Sequence, residues 1–187
     1  MRTFLAMVLF ACLCAAANAA DTYSIDPNHT HATFSFLHLG FSTFKGKIPA
    51  ERGTIVLDRE RQTGSVDVVF NVKGIATGVS EFDDHLRGKD FFLVDRYPTA
   101  TFKSTKVTFR NDEPSTVTGN LTIKGISKPV TLQVTSFNCG QHPMEKMPAC
   151  GGNASATIKR SDFGLNYALP LVRDEIGLEI EVEAIRK

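Results

Sequence analysis

The stretch EIGLEIEVEA, from Glu175 to Ala184, alternates between acidic and apolar or small residues, with Gly177 at one position of the acidic series. Successive side chains of a β-strand point to opposite faces, so this pattern predicts a strand with one apolar and one charged face. Buried parallel strands are apolar on both faces, and the alternation therefore predicts an antiparallel sheet with one wet side. The residues predicted to face inward are Ile176, Leu178, Ile180 and Val182.

The same period of two recurs in two predicted hairpins, GTIVLDRERQTGSVDVVFNV and TVTGNLTIKGISKPVTLQV. About eight such strands predict an all-β fold, a closed antiparallel barrel, because closure removes exposed sheet edges. A sandwich of two sheets is the alternative that alternation alone leaves open. In ATFKSTKVTFR the alternation slips by one residue, which predicts a β-bulge at Ser104-Thr105.

One segment between these hairpins predicts a short helix instead of a strand. The Ser80 hydroxyl can accept a hydrogen bond from the backbone N–H of Asp83 and so cap the helix. Phe82 and Leu86 are four residues apart and share one helix face. Together with the apolar run that follows, the helix is predicted to form a lid on the barrel. The run consists of Phe91, Phe92, Leu93 and Val94.

The chain begins with a pattern typical of a secretory signal peptide. Arg2 precedes an apolar run from Phe4 to Ala17, and small residues follow at a predicted cleavage site after Ala19 or Ala20. We therefore expect residues 1–19 to be removed on export to the periplasm. The remaining residues, 20–187, have the length of one domain.

The four cysteines divide into two pairs. Acylation of Cys12 or Cys14 in a lipoprotein is an alternative to a cleaved signal peptide, but the Ala-x-Ala site explains the segment better. Cys139 and Cys150 remain as an even pair in an exported chain, so we expect them to form a disulfide. A metal site is the weaker interpretation, because only His142 lies between them.

Composition excludes several classes of function. Without Arg2 the chain has 20 basic and 20 acidic residues, so it lacks the basic footprint of a nucleic-acid-binding protein or a polybasic membrane anchor. It also lacks the G-x-S-x-G, phosphate-loop and dinucleotide motifs of common enzymes.

The histidines do not predict a metal centre. In a strand, His29 and His31 project together whereas His38 projects to the other face, so three ligands do not converge. The adjacent Asp83 and Asp84 point about 100° apart on a helix and cannot share a proton. We predict neither a catalytic set nor a metal site.

Twelve phenylalanines remain after removal of the signal peptide, with no tryptophan. They either fill the barrel or line a cavity, because barrels of about eight strands do both. The small residues Ser104, Ala154 and Ala156 on predicted inner faces slightly favour the cavity.

Several motifs extend over nearly the whole predicted domain. They are YSIDPNHT with F-x-F-x-H, T-G…D-x-H-L-x-x-x-D-F-F, Y-P-x-A-x-F-x-S-T, G-N-L-T-I-K-G-I-S-K-P-V, R-S-D-F-G-L-N-Y and C-x-x-x-P-M-E-K…C-G-G. With them the chain resembles the YceI-like family of exported, lipocalin-like, polyisoprenoid-binding proteins. Gly88 and Leu93 depart from the residues common in that family, beside the lid.

The resemblance implies a long apolar tunnel around an isoprenoid chain such as ubiquinone or a polyprenyl phosphate, with no other cofactor. The tunnel is then expected to be lined by Phe34, Phe36, Phe70, Phe102 and Phe109. It is expected to be closed by Phe82, Leu86, Phe91 and Phe92. The polar head group is expected to meet His38, His85 or Arg87.

The predicted function is that of a periplasmic carrier that sequesters such a lipid, held by burial of its chain. Its expected partners are the isoprenoid lipid and a membrane that it contacts transiently during loading. The sequence leaves open whether the protein is a monomer or a homodimer. Two alternatives are an enzyme that uses His38 or His85 as acid or base, and a filled barrel acting as an adhesion or stress-response module.

Overall fold

A computed structural model describes residues 20–187, so the predicted signal peptide and the cysteines within it lie outside the described residues. The strands are β1 (Asp21–Ile25), β2 (His31–His38), β3 (Ser42–Asp58), β4 (Thr63–Asn71), β5 (Thr99–Arg110), β6 (Glu113–Ile123), β7 (Ile126–Gln141), β8 (Pro148–Lys159) and β9 (Glu175–Arg186). One α-helix, α1, spans Ser80–Arg87, and 3₁₀ turns cover Val72–Gly74 and Arg160–Phe163. Within the described part of the chain, every helix is too short or too polar to cross a bilayer.

The strands form one antiparallel sheet that closes on itself. Its order is β1-β3-β2-β9-β8-β7-β6-β5-β4, and the pairing of β3 with β4 completes the circle. β1 and β2 both pair with β3 and β9, each along a different part of these two strands. Together they occupy one strand position, so the barrel has eight strand positions. The predicted closed barrel is confirmed, and the two-sheet sandwich is wrong.

Alternation along the strands separates an apolar interior from a charged exterior. The inward residues of β9 include the predicted Leu178, Ile180 and Val182. On its outer face, Glu179 approaches the Lys45 ammonium of β3, 3.6 Å away. Inside, two buried clusters form around Phe70 and Phe102.

The predicted bulge in β5 is also present. The register of β5 against β6 shifts between Ser104 and Lys106. On the other side of β5, the ladder with β4 ends at Lys103, and the Ser104 hydroxyl then accepts a hydrogen bond of 2.8 Å from the backbone N–H of Val66. A side chain thus satisfies a backbone donor that the bulge would otherwise leave unpaired.

The connections between strands divide the barrel into two different ends. The lid end carries the β2–β3 turn, the segment 72–98 that contains α1, the β6–β7 turn and the loop 164–174. The opposite end carries the β3–β4 and β5–β6 turns and the β7–β8 loop. Long connections are therefore confined to the lid end, apart from the β7–β8 loop.

The predicted helix is present, but its predicted cap is wrong. α1 starts at Ser80 and has Gly88 as its C-cap, yet Ser80 makes no capping hydrogen bond. The backbone N–H of Asp83 donates to the Val79 carbonyl, 2.9 Å away. The Asp83 carboxylate accepts from the N–H and hydroxyl of Thr77, at 2.7 and 2.6 Å. A charged acceptor binds more strongly than a serine hydroxyl, so it determines how the chain enters the helix.

Cys139 and Cys150 form the predicted disulfide. They are direct cross-strand partners of β7 and β8, with their Cα atoms 4.1 Å apart. The bond therefore closes the β7–β8 hairpin at the opposite end of the barrel. Cys150 is buried and lies on the inner face of β8.

We predict that the double substitution Cys139→Ala and Cys150→Ala lowers the free energy of unfolding by about 3 kcal/mol, because it frees a short loop in the unfolded chain. Equilibrium urea unfolding measures this change. Dithiothreitol should destabilise the wild-type protein to a similar extent and leave the double variant unaffected. Equal unfolding free energies for the oxidised wild type and the variant would contradict the prediction.

Candidate functional site

An apolar cavity lies inside the barrel, with lining residues from all nine strands. The volume open to the centre of a water-sized sphere is 190 Å³. Roughly 10–15 Å³ of this measure holds one water molecule, so the space is far larger than a packing defect. No charged residue lines it, and Tyr23 and Asn153 are its only polar lining residues in the described chain. Such a cavity suits an apolar chain rather than a polar ligand.

Small residues along β8 leave this space open. The inner face of β8 consists of Cys150, Gly152, Ala154, Ala156 and Ile158. A Cβ atom added at Gly152 would lie 2.7 Å from the Ser136 carbonyl oxygen, so the close approach of β7 requires a glycine there. The predicted inward position of Ala154 is confirmed, because it lines the cavity. Leucine-sized side chains at these positions would occupy the interior.

The phenylalanines expected to line the tunnel lie in different places. Phe70 and Phe102 are buried and line the cavity. The Phe102 ring lies over Gly119, where an added Cβ would come within 2.7 Å of its Cζ. Phe109 packs against both buried clusters beside the cavity.

Phe34 lies between the cavity and the lid end along β2. It follows Ala32, a lining residue, by one inward position. Its ring covers Gly46 of β3, and the methyl group of Thr77, just before α1, lies over the same glycine. A side chain at Gly46 would overlap the ring, so glycine is needed for this packing.

The next inward residues of β2 belong to an aromatic group that we call the hairpin cluster, formed by Phe36, His38, Phe44 and Phe82. Phe44 is central, with ring centroids 5.5 Å from Phe36 and 5.2 Å from Phe82. The cluster joins the β2–β3 hairpin to α1 through the contacts of Phe82 with Phe36 and Phe44. Phe44 was not predicted, although its place opposite Phe36 in a tight hairpin was a usable signal.

The remaining lid residues stabilise the segment around α1. Leu86 is buried, and Phe92 packs against the cluster that contains Phe70. The Arg87 guanidinium donates to the Ile75 carbonyl at 3.1 Å and to Asp84 at 2.8 Å. These bonds hold the helix to the chain that precedes it.

His85 lies in a second aromatic group, the loop triad, which it forms with Phe91 and Tyr167. Its ring centroid lies 5.1 Å from that of Phe91 and 4.9 Å from that of Tyr167. The His85 Nε2 atom is 3.2 Å from the Asp90 carboxylate. The loop triad therefore connects α1 to the loop 164–174. Tyr167 was not predicted, because it comes from a distant part of the sequence.

Arg160 organises that loop from within. It is only 5% exposed and donates to the backbone carbonyls of Leu165, Tyr167, Val172 and Arg173 at 2.5–3.1 Å. Burial lowers the pKa of the Arg160 guanidinium from its ordinary value. Four carbonyl acceptors replace the water that this cation loses, and Tyr167 is thereby positioned beside His85.

The end of the loop is fixed by Asp174. Its carboxylate accepts from the Ser161 hydroxyl at 2.7 Å and from the Ser161 backbone N–H at 2.9 Å. The hydrogen bond from the Ser161 hydroxyl is the main cause of the lowered pKa of Asp174, and the bond from the Ser161 backbone N–H lowers it further. Since the folded state favours the ionised carboxylate, this contribution to stability is present above the unfolded pKa and is lost as pH falls through the folded value.

The histidines lie in separate places. His29 approaches Asp26 at 2.6 Å, and this hydrogen bond raises the pKa of His29. His31 faces outward beside Lys47 and Glu181. In the described part of the chain, no group of three His, Cys, Asp or Glu residues could hold a metal ion.

Comparison with known proteins adds three findings. The model of the YceI-like domain matches residues 23–184. A UPF0312 protein of Pseudomonas aeruginosa is 36% identical over 190 residues, which cover 100% of this chain and 98% of that relative. The crystal structure of a Campylobacter jejuni YceI protein has a TM-score of 0.67 at 30% identity, and the match covers 80% of this chain and 89% of that one.

A polyisoprenoid-binding domain from Saccharophagus degradans, implicated in plant cell wall breakdown, is a more distant structural neighbour. Its TM-score is 0.61 at 13% identity, over 88% of this chain and 98% of that one. At this identity the likeness is one of fold alone.

We predict that Arg160→Gln loosens the loop 164–174, because at least two buried carbonyls lose their donors. Amide hydrogen exchange in the loop should become faster, and the free energy of unfolding should fall by at least about 2 kcal/mol. Arg173→Gln is the matched control, since Arg173 is exposed on the same loop. Equal exchange rates in the two variants would show that Arg160 does not organise the loop.

Proposed function

Because the chain belongs to the YceI-like family, we propose that its barrel is a periplasmic carrier that sequesters an isoprenoid lipid. The observation that supports this most is the apolar cavity inside the barrel, which residues of all nine strands line and which has no charged lining residue in the described chain. The neighbour from Saccharophagus degradans is itself a polyisoprenoid-binding domain, so a barrel of this fold can serve that purpose. The proposed location rests on the predicted signal peptide.

Burial of the lipid chain supplies the affinity. Each CH₂ group removed from water contributes about 0.8 kcal/mol, so one five-carbon isoprene unit contributes about 4 kcal/mol. Few units are needed to offset the loss of translational and rotational freedom on binding. A carrier of this kind requires no covalent step, and Tyr23 is the one lining residue of the described chain with a titratable side chain.

The head group is proposed to lie at the lid end, outside the apolar interior. A quinone or phosphate retains its hydration most easily there, because the cavity walls of the described chain offer no charged partner and only Tyr23 and Asn153 as polar ones. His38, at the exposed end of β2, belongs to the hairpin cluster with Phe82, and His85 lies beside Phe91 in the loop triad. Arg87 is a third candidate, although its guanidinium already binds Ile75 and Asp84. Ubiquinone and polyprenyl phosphate are the ligand types proposed.

Loading also requires contact with the membrane that supplies the lipid. The protein is proposed to make this contact transiently, whether as a monomer or as a homodimer. No nucleic acid is involved in the proposed function.

The direct test is to purify the protein from periplasm without detergent, extract it with organic solvent and identify the extract by mass spectrometry. We expect an isoprenoid lipid in an amount comparable to that of the protein. An extract without isoprenoid would contradict the carrier function, and turnover of the lipid on incubation would favour the enzyme instead.

We predict that Phe102→Arg reduces the amount of bound isoprenoid at least about tenfold, because it places a charge within the apolar cavity. Thr101→Arg is the matched control, since it adds the same charge to the outer face of the same strand. Circular dichroism establishes that each variant is folded. Ala154→Leu, which fills the cavity without adding charge, should also reduce loading. Unchanged loading in folded Phe102→Arg and Ala154→Leu variants would place the lipid elsewhere.

A further inference from the structure

Exposed apolar side chains are concentrated at the lid end. In the described part of the chain, the large exposed hydrophobic residues on the connections there are Leu39, Phe41, Val79, Ile126, Tyr167 and Leu171. The others are methionines of the β7–β8 loop, Met144 and Met147, at the opposite end. Phe41 is 90% exposed and Leu171 is 74% exposed, so neither is partly covered core. We call the set at the lid end the apolar collar.

The collar residues lie on connections that pack against one another. The hairpin cluster joins the β2–β3 turn, which carries Leu39 and Phe41, to α1, which begins after Val79. The loop triad joins α1 to the loop that carries Leu171. At Gly164, an added Cβ would lie 3.5 Å from Ile126, so the β6–β7 turn abuts the same loop. The collar is therefore supported as one structure.

The apolar residues of the β2–β3 turn are unusual for the backbone conformation of that turn. Leu39 has φ +52° and Gly40 has φ +83°, both in the left-handed region. At such positions asparagine, aspartate and glycine are favoured, whereas a leucine costs conformational energy. The next residue, Phe41, points into solvent. Leu39 is half exposed and Phe41 is almost fully exposed, so burial in the hairpin does not explain this choice of residues, and both indicate an external apolar partner.

We propose that the apolar collar docks on the surface of a phospholipid bilayer, with Leu39, Phe41 and Leu171 entering the interface. This rests on the proposed lipid-carrier function and identifies the surface through which the lipid is exchanged. The collar surrounds the end of the barrel that is closed by long connections, and these are the connections that can move aside. The opposite end is closed mainly by short turns.

The arrangement fits a bilayer better than a protein partner. The collar side chains stand on separate connections between different strands. Single apolar side chains on loop tips can enter a fluid interface independently. The segment 72–98 carries both acidic and basic residues, so the attraction is expected from apolar burial rather than from anionic lipid.

The absence of tryptophan from the sequence allows a direct test. Phe41→Trp places one fluorophore in the collar, and Met144→Trp places one at an equally exposed site at the opposite end. With phosphatidylcholine vesicles, emission from the first variant should shift to the blue and be quenched by brominated lipid. Emission from the second should not change. Equal responses, or no response from Phe41→Trp, would overturn the docking surface.

A loss-of-function pair completes the test. Leu39→Asn with Phe41→Ser suits the turn and should weaken vesicle flotation and slow the extraction of ubiquinone from vesicles, each at least about tenfold. Met144→Ser with Met147→Ser is the control and should alter neither. Ubiquinone uptake from detergent should be unchanged in both. If wild-type protein takes up ubiquinone from detergent but does not float with vesicles, the docking proposal fails and the carrier function stands.

If the wild-type protein takes up no ubiquinone or polyprenyl phosphate from detergent, the proposed function itself fails, whatever the vesicles show. Size-exclusion chromatography with light scattering tests whether the collar binds a second copy of the chain. A wild-type dimer that Leu39→Asn with Phe41→Ser converts to a monomer would assign the collar to a second copy of the chain, and would overturn the membrane proposal.

Discussion

The pairing of β3 with β4 is the constraint on which the rest of the structure depends. β3 is 17 residues long and pairs with β1, β2 and β4. It therefore joins β1 and β2, at one end of the strand order, to β4 at the other end. Once the sheet is closed, its backbone groups are paired all around and its inner face is removed from water. Every inward side chain must then be apolar or small. The cavity exists because several of them, on β8, are small.

Closure also makes the two ends of the barrel the only routes between interior and solvent. At the opposite end, tight turns and the disulfide hold neighbouring strands together. At the lid end, two aromatic groups and the bonds of Arg160 join α1, the hairpin and the loop 164–174. Side-chain contacts between connections can separate with less loss than a strand ladder. This difference is the reason why we propose lipid exchange at the lid end.

Features determined by local alternation could be predicted from the sequence. The inward residues of β9, the two hairpins and the bulge at Ser104 follow from the period of two, and the disulfide follows from a single remaining cysteine pair. Features that depend on distant packing could not. Phe44 and Tyr167 take their roles from contacts with Phe82 and His85, far away in the sequence, and the role of Arg160 depends on how the loop 164–174 folds around it. The Ser80 cap was wrong because the Val79 carbonyl already accepts from the backbone N–H of Asp83. Whether the barrel is open or filled depends on side-chain volumes summed over all strands.

Isotope-filtered nuclear Overhauser measurements on the protein loaded with an unlabelled polyprenol test most directly whether the lipid chain lies inside the barrel. If the lipid chain lies inside the barrel, its methyl groups will contact methyl groups of lining residues, among them those of Val68, Leu121 and Ile180. Contacts confined to Leu39 and Leu171 would show that the lipid binds the collar and does not enter the barrel. That result, or the absence of any contact, would contradict the account.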